Sequence, residues 1–265
     1  MPIRYGRFQS VDGHDFFGII ESARVRRLDA APWLGGRATG EIRQLAEVRA
    51  LCPVRPTKIV CVGWNYACHA REAGKTAPNE PIFFLKPPSS LAGPGDVVVL
   101  PPDSEHVEHE AELGVVIGSR ARLVSPERAL EHVFGYTCVA DVTARDLQRR
   151  DGEATRSKGF DTFCPVGPEI VTDLDPRQLR IMCRVAGKLR QDGRTADMLF
   201  DVPTLLALAS RIMTLEPGDL LATGTPAGVG PLIPGDQLEI TVTSLASKQL
   251  GIATLSVRAV AASLA

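Results

Sequence analysis

Apolar residues come in short runs broken by Gly, Pro and polar clusters, the punctuation of a strand-rich protein. Ile3 to Phe8 predicts a strand, Val11-Asp12-Gly13 a turn, and Phe16 to Glu21 a second strand. Gly40 to Leu51 has roughly helical spacing in Ile42, Leu45 and Ala46 and is read as a helix. Cys52 to Thr57 carries two prolines in six residues and reads as a linker. Lys58 to Gly63 predicts a buried strand, Asn65 to Gly74 a helix, and Pro81 to Leu85 another strand, with polar Lys75 to Pro81 a mobile connection. Pro94-Gly95-Asp96, Pro217-Gly218-Asp219 and Pro234-Gly235-Asp236 each fit a type II turn before a strand-like run. Ser125-Pro126 marks a helix start, Phe134 to Val142 a strand, and Pro203 to Met213 one amphipathic helix. Leu238 to Val242 and Thr254 to Val260 close the chain as strands. Strands dominate, so the expected fold class is α+β and β-rich, a mixed-sheet body with a few short helices. The linker divides it into a small N-terminal domain, 1–55, and a larger one, 56–265.

Within this pattern Glu108-His109-Glu110-Ala111-Glu112-Leu113-Gly114-Val115-Val116-Ile117-Gly118 stands apart. As a single strand it puts Glu108, Glu110 and Glu112 on one face and Ala111, Leu113, Val115 and Ile117 on the other. His109 then points away from the carboxylates. Aligned carboxylates repel unless a positive group sits between them, and a hard divalent cation, Mg²⁺ or Mn²⁺, suits their oxygens. A solvated strand edge is the ordinary alternative.

Composition removes other classes of function. The chain has 265 residues, 44% hydrophobic and 23% charged, with a formal net charge of −1. No global field favours nucleic acid or an anionic membrane, and no run of basic residues with interleaved aromatics is present. No apolar run approaches the ~20 residues of a membrane helix, and the N-terminus lacks the apolar centre of a signal peptide. Cys52, Cys61, Cys68, Cys138, Cys164 and Cys183 are scattered with no Cys-x-x-Cys pair, which suggests neither zinc site nor disulfide framework. A reduced, cytoplasmic location is the simplest expectation.

Four further features carry candidate chemistry. Asp141 ends an apolar run, where a carboxylate is costly unless paired or metal-bound, although it also fits a helix cap. Glu110, Glu112 and Asp141 together would leave octahedral positions open, as a catalytic metal needs. Lys158 lies in a Gly- and aromatic-bearing loop, where an ordinary exposed lysine is the alternative. Gly224-Thr225-Pro226-Ala227-Gly228-Val229-Gly230 lacks the ending of a phosphate loop, yet could offer N–H groups and the Thr225 hydroxyl to a carboxylate. His69 and Glu72, three apart on a helix, fit a base and its orienter.

Cys61-Val62-Gly63-Trp64-Asn65-Tyr66, Phe84-Leu85-Lys86-Pro87, Glu110-Ala111-Glu112-Leu113, Asp141-Val142-Thr143-Ala144-Arg145-Asp146, Lys158 with Phe160-Asp161, and the Gly224–Gly230 loop occur in this order. The series, spanning residues 58 to about 245, resembles the fumarylacetoacetate hydrolase superfamily. The resemblance implies a β-rich roll or sandwich around Mg²⁺ or Mn²⁺, usually in a homodimer. It casts Glu110, Glu112 and Asp141 as metal ligands and His69, Glu72 and Lys158 as the catalytic set. Thr225, Gly224, Arg145, Gln148, Asn65 and Tyr66 fall at substrate-facing positions. Residues 1–55 resemble the small N-terminal domain of 2-hydroxyhepta-2,4-diene-1,7-dioate isomerase relatives.

The implied chemistry is a metal-bound enolate of a 2-oxo acid, which can be reprotonated, lose CO₂ or undergo C–C hydrolysis. One departure bears on the choice. Relatives that cleave short acylpyruvates often carry Arg where this chain has Trp64, and an indole cannot clamp a carboxylate. The expectation is therefore an isomerase or decarboxylase of a 2-hydroxymuconate-like dioate from aromatic degradation. The alternatives are a C–C hydrolase of acylpyruvate or fumarylacetoacetate type, an oxaloacetate decarboxylase, and a metal and carboxylate binder without turnover.

Overall fold

A computed structural model describes residues 2–247 and 250–262. Its largest element is a mixed twelve-stranded sheet. The path runs Ala38–Gln44, Arg24–Leu28, Asp15–Glu21, Arg4–Gln9, Cys164–Val171, Val133–Ala140, Ala111–Ile117, Leu220–Ala222, Ile59–Gly63 and Ile82–Lys86. Arg49–Leu51 and Leu91–Ala92 join it off this path. A five-stranded sheet, Lys188–Arg194, Leu179–Val185, Gln237–Ser244, Gly251–Ala261 and Val97–Leu100, packs against it. The main core lies between them, with Leu113, Val115 and Ile117 meeting Ile181, Cys183, Ile240 and Val257. The helix Val202–Ile212 buries Leu205, Leu206 and Ala209 in the same core and is capped by Asp201, which accepts from the Thr204 N–H.

Ala111–Ile117 is buried along its whole length. The alternation read from the sequence holds: Ala111, Leu113, Val115 and Ile117 enter the main core, while Val116 enters a second cluster on the opposite face with Ile59, Cys61, Val139 and Leu220. Leu113→Ala should therefore cost ~2–5 kcal/mol, since a fully buried side chain is removed from the main core. Urea unfolding checks this, and a loss below ~1 kcal/mol would show that the core collapses around the gap.

The residues 3–53 do not sit apart from the larger sheet. Arg4 and Tyr5 pair with Val171 and Ile170. The three Pro-Gly-Asp turns are present, with Gly95, Gly218 and Gly235 all at positive φ and a strand after each.

Two expectations need correction. Gly40 to Leu51 is not a helix: Ala38–Gln44 is a strand, Leu45–Glu47 a single 3₁₀ turn, and Arg49–Leu51 a short strand. Its backbone finds partners in Arg24–Leu28, with Arg26 opposite Ile42, and sheet pairing outweighs three loosely spaced apolar residues. The carboxylate stretch is also not one strand. Val107–His109 belongs to a three-stranded sheet and Ala111–Ile117 to the large one, so Glu110 stands where the chain changes sheets. The Glu110 C=O still accepts from the Asp141 N–H at 2.9 Å, which brings the two carboxylates together.

Candidate metal and enolate site

Among the described residues, Glu110, Glu112 and Asp141 form the one group with metal-ligand character. One carboxylate oxygen from each lies within 4.8 Å of the others, and all three residues are buried. Glu110 and Glu112 come from the two sides of the sheet change, and Asp141 follows the neighbouring strand Val133–Ala140.

Three buried or half-buried cations answer these carboxylates. Lys158 Nζ donates to Glu110 Oε2 at 3.0 Å and to Asp141 Oδ2, and lies 4.9 Å from the Phe84 ring centroid. Lys86 Nζ donates to Asp141 Oδ1 at 2.7 Å and to the Val142 C=O at 3.1 Å. Arg145 donates to Glu110 Oε1, to Glu108 Oε2 at 2.8 Å and to Gln148 Oε1 at 2.6 Å. Burial pushes the Glu110 carboxyl up, but Lys158 and Arg145 outweigh it and hold it well below the usual range. Glu112 moves the other way: burial first, then the Asp141 and Glu110 charges, push it well above that range. Burial alone lowers Lys158, but Asp141 and Glu110 reverse this and hold it charged.

The formal charges show what the group lacks. With Glu112 ionised, as metal binding requires, four carboxylates (Glu108, Glu110, Glu112 and Asp141) stand beside three cations (Lys86, Lys158 and Arg145). That leaves −1, which a divalent cation converts to +1 and an anionic ligand then neutralises. An all-oxygen, buried, net-negative donor set fits a hard divalent metal and not a soft one.

The helix Ala67–Glu72 stands over a neighbouring cavity of about 1530 Å³, lined by Trp64, His69, Glu72, Lys86, Arg145 and Gln148 among others. Trp64 adopts φ +58°, which turns the chain out of the strand Ile59–Gly63. Its indole stacks on the His69 ring, with centroids 4.8 Å apart and planes at 21°. His69 is buried, its Nδ1 has no hydrogen-bond partner among the described residues, and that atom lies 3.6 Å from Glu72 Oε2. Both Glu72 oxygens accept from the Gly228 N–H at 3.1 Å, fastening the helix to the glycine loop.

The remaining expected residues serve the frame. The Gly224 N–H donates to Glu112 Oε2 at 2.8 Å. Gly224 has φ +92°, and a Cβ there would come within 2.7 Å of Asn65 Cβ, so only glycine fits. The Thr225 hydroxyl donates to the Ala111 C=O at 2.8 Å, so its proton is turned onto the ligand strand and not into the cavity. Asn65 is spent on backbone ties: its amide donates to the C=O groups of Phe200 and Thr223, and its oxygen accepts from the Phe200 N–H. Tyr66 is fully buried, and burial with the nearby Glu112 charge pushes its hydroxyl well up.

Lys86 is the main residue that sequence reasoning passed over. Its only signal was its place in Phe84-Leu85-Lys86-Pro87, at the end of an apolar run where a lysine needs a buried partner. His109 is buried, bonds to Gln191 and lies outside the carboxylate group, although the single strand from which this was expected is broken at Glu110.

Residues 58–258 match the fumarylacetoacetate (FAA) hydrolase C-terminal family. The chain belongs to this family. Residues 3–53 match a second family, Rv2993c-like, N-terminal. A 2-hydroxyhepta-2,4-diene-1,7-dioate isomerase from Mycobacterium marinum superposes with a TM-score of 0.89 at 41% identity, over 99% of this chain and 100% of that one. A maleylpyruvate hydrolase from Sphingobium sp. SYK-6, solved with manganese(II) and pyruvate, superposes with a TM-score of 0.78 at 33% identity, over 98% of this chain and 100% of that one. The human mitochondrial oxaloacetate tautomerase FAHD2A is 49% identical over 70% of this chain and 61% of its own length. The protein is thus an enzyme of the FAA hydrolase family, among relatives that carry isomerase, hydrolase and tautomerase names. No helix among the described residues is long and apolar enough to cross a membrane.

Proposed function

We propose that the chain is a metal-dependent isomerase of 2-oxo dicarboxylic acids, moving a proton between the enol or dienol and keto forms of its substrate. Glu110, Glu112 and Asp141 would hold Mg²⁺ or Mn²⁺. Such a cation supplies Lewis-acid stabilisation of the oxygen that turns negative as the 2-oxo acid enolises.

The chain's own residues do the rest. Lys86 keeps Asp141 in place from behind. Lys158 neutralises Glu110 and Asp141 and would offer its ammonium to the substrate's oxygens. Arg145 and Gln148 line the cavity and offer polar contacts to a carboxylate. His69 carries the proton between carbons, and Trp64 shields its ring from water.

The observation that favours isomerisation over hydrolysis is the Trp64 indole stacked on His69, since an apolar indole over the proton carrier suits a planar unsaturated chain. Glu72, tied by the Gly228 N–H and 3.6 Å from His69 Nδ1, would orient that ring in either reaction. The similarity to an isomerase and to an oxaloacetate tautomerase supports the same reading.

The test offers 2-hydroxydienedioates, oxaloacetate, maleylpyruvate and acylpyruvates with Mn²⁺ or Mg²⁺, following the ultraviolet spectrum together with released pyruvate and CO₂. Spectral interconversion without stoichiometric pyruvate supports isomerisation. Pyruvate release in step with substrate loss and without CO₂ makes it a hydrolase, and CO₂ release a decarboxylase. Lys158→Met separates binding from turnover in the same assay. Removing a cation from beside two ligands should leave Mn²⁺ affinity equal or higher, while kcat falls by ~10²-fold as charge on the substrate oxygens loses its partner. Calorimetry that shows lost metal binding would make Lys158 a structural tie.

A further inference from the structure

Gln191 lies on Lys188–Arg194, an otherwise polar strand of the five-stranded sheet, yet it is fully buried. Its side chain makes four hydrogen bonds, all directed at the site's frame. Oε1 accepts from the Ala111 N–H at 3.0 Å and meets His109 Nδ1 at 3.1 Å. Nε2 donates to Thr225 Oγ1 at 2.7 Å and to the Pro226 C=O at 2.8 Å.

These partners leave no freedom of assignment. A backbone N–H only donates and a backbone C=O only accepts, so the amide cannot be flipped. His109 must then carry its proton on Nδ1. Thr225 accepts from Gln191 and must send its own proton to the Ala111 C=O, as observed at 2.8 Å. Ala111 is the residue between Glu110 and Glu112. Its N–H is held by Gln191 and its C=O by the Thr225 hydroxyl, at the point where pairing with Leu220–Ala222 has ended; that ladder reaches only Gly114.

The glycine loop is seated on the same strand without slack. A Cβ on Gly193 would come within 2.4 Å of Pro226, and one on Gly228 within 2.1 Å of the Arg190 C=O. This loop in turn holds Glu112 through the Gly224 N–H and Glu72 through the Gly228 N–H.

We propose that Gln191 is a positioning residue that joins the two halves of the site, setting the spacing of Glu110 and Glu112 through Ala111 and the stance of Glu72 and His69 through the glycine loop. It touches neither the reacting atoms nor the carboxylates. The assignment rests on reading Glu110, Glu112 and Asp141 as the metal-binding group.

Gln191→Leu deletes all four bonds, whereas Gln191→Glu retains the acceptor half and loses the donor half. The readouts are the Mn²⁺ dissociation constant by calorimetry, kcat at saturating Mn²⁺, and melting with a chelator present. Gln191→Leu should raise the dissociation constant by about ten-fold or more and lower kcat at saturating metal by a similar factor. Gln191→Glu should fall between Leu and wild type in affinity. A merely structural glutamine would lower the melting temperature and leave both values of the folded protein within about two-fold of wild type, which overturns the proposal. Where Gln191→Leu does not fold, Gln191→Glu decides, and Thr225→Val, which deletes only the shared hydroxyl, decides where neither folds. Wild-type protein that takes up no Mn²⁺ overturns the metal reading itself; wild-type affinity shared by the Gln191 variants overturns only the positioning role.

Discussion

Glu110→Gln should abolish divalent-metal binding in calorimetry and lower turnover by ~10³-fold or more, because several kcal/mol of enolate stabilisation disappear with the cation. The substitution keeps the size of the side chain and removes its charge. Glu110 receives a cation on each oxygen, Lys158 on Oε2 and Arg145 on Oε1. Its loss leaves those two cations in buried surroundings with fewer anions, and breaking a buried pair in this way costs about 3–5 kcal/mol. Relief of repulsion toward Glu112 offsets part of that, since the Glu110 charge is one of those that push Glu112 up. The net expectation is a protein that folds with reduced stability in urea and binds no Mn²⁺. Retained wild-type affinity would show that the three carboxylates are a structural ion-pair cluster.

His69→Gln should lower kcat by ~10²–10⁴-fold while leaving Mn²⁺ affinity near that of wild type. The separation follows from geometry: His69 belongs to the helix above the cavity and makes no contact with Glu110, Glu112 or Asp141 among the observed hydrogen bonds. Glutamine keeps a polar side chain beneath Trp64 but cannot carry a proton at neutral pH. Steady-state kinetics at saturating Mn²⁺ check the expectation. An unchanged kcat would reduce His69 to a packing partner of Trp64 and move the proton transfer elsewhere in the cavity.

How much of this was legible in the sequence depended on the range of the forces involved. The alternation of Ala111, Leu113, Val115 and Ile117 reports a core on one face, and those residues do enter one cluster. The amphipathic stripe at Pro203 to Met213 reports a helix in the same way. Gly40 to Leu51 misled because its helix-like spacing is local, whereas its strand is decided by a partner, Arg24–Leu28, some sixteen residues upstream. The turn at Glu110 was equally invisible, since nothing in Glu108 to Gly118 signals that two sheets meet there.

The site divides along the same line. Asp141 announces itself by chemistry that an apolar neighbourhood would otherwise reject, Glu110 and Glu112 by their alternation, and His69 by its spacing to Glu72, whereas Lys158 stood out through the family resemblance. Thr225 and Asn65 looked like contacts for a ligand, yet their polar atoms are used to hold the loop and the helix. Gln191 gave no signal at all: it stands in the mostly polar run Lys188-Leu189-Arg190-Gln191-Asp192 and is buried between the glycine loop and the Ala111 and His109 segment.

The reaction proposed for this site is metal-dependent proton transfer on an enolisable 2-oxo dicarboxylate. Its most direct test is the rate at which the enol form of oxaloacetate loses its ultraviolet absorbance at fixed pH, with Mn²⁺ and with chelator, alongside the same measurement on His69→Gln. Enzyme-dependent conversion to the keto form is expected that requires Mn²⁺, falls with His69→Gln, and proceeds without matching release of pyruvate or CO₂. Conversion at the uncatalysed rate with oxaloacetate and with 2-hydroxydienedioates alike, in protein shown to hold Mn²⁺, would contradict it.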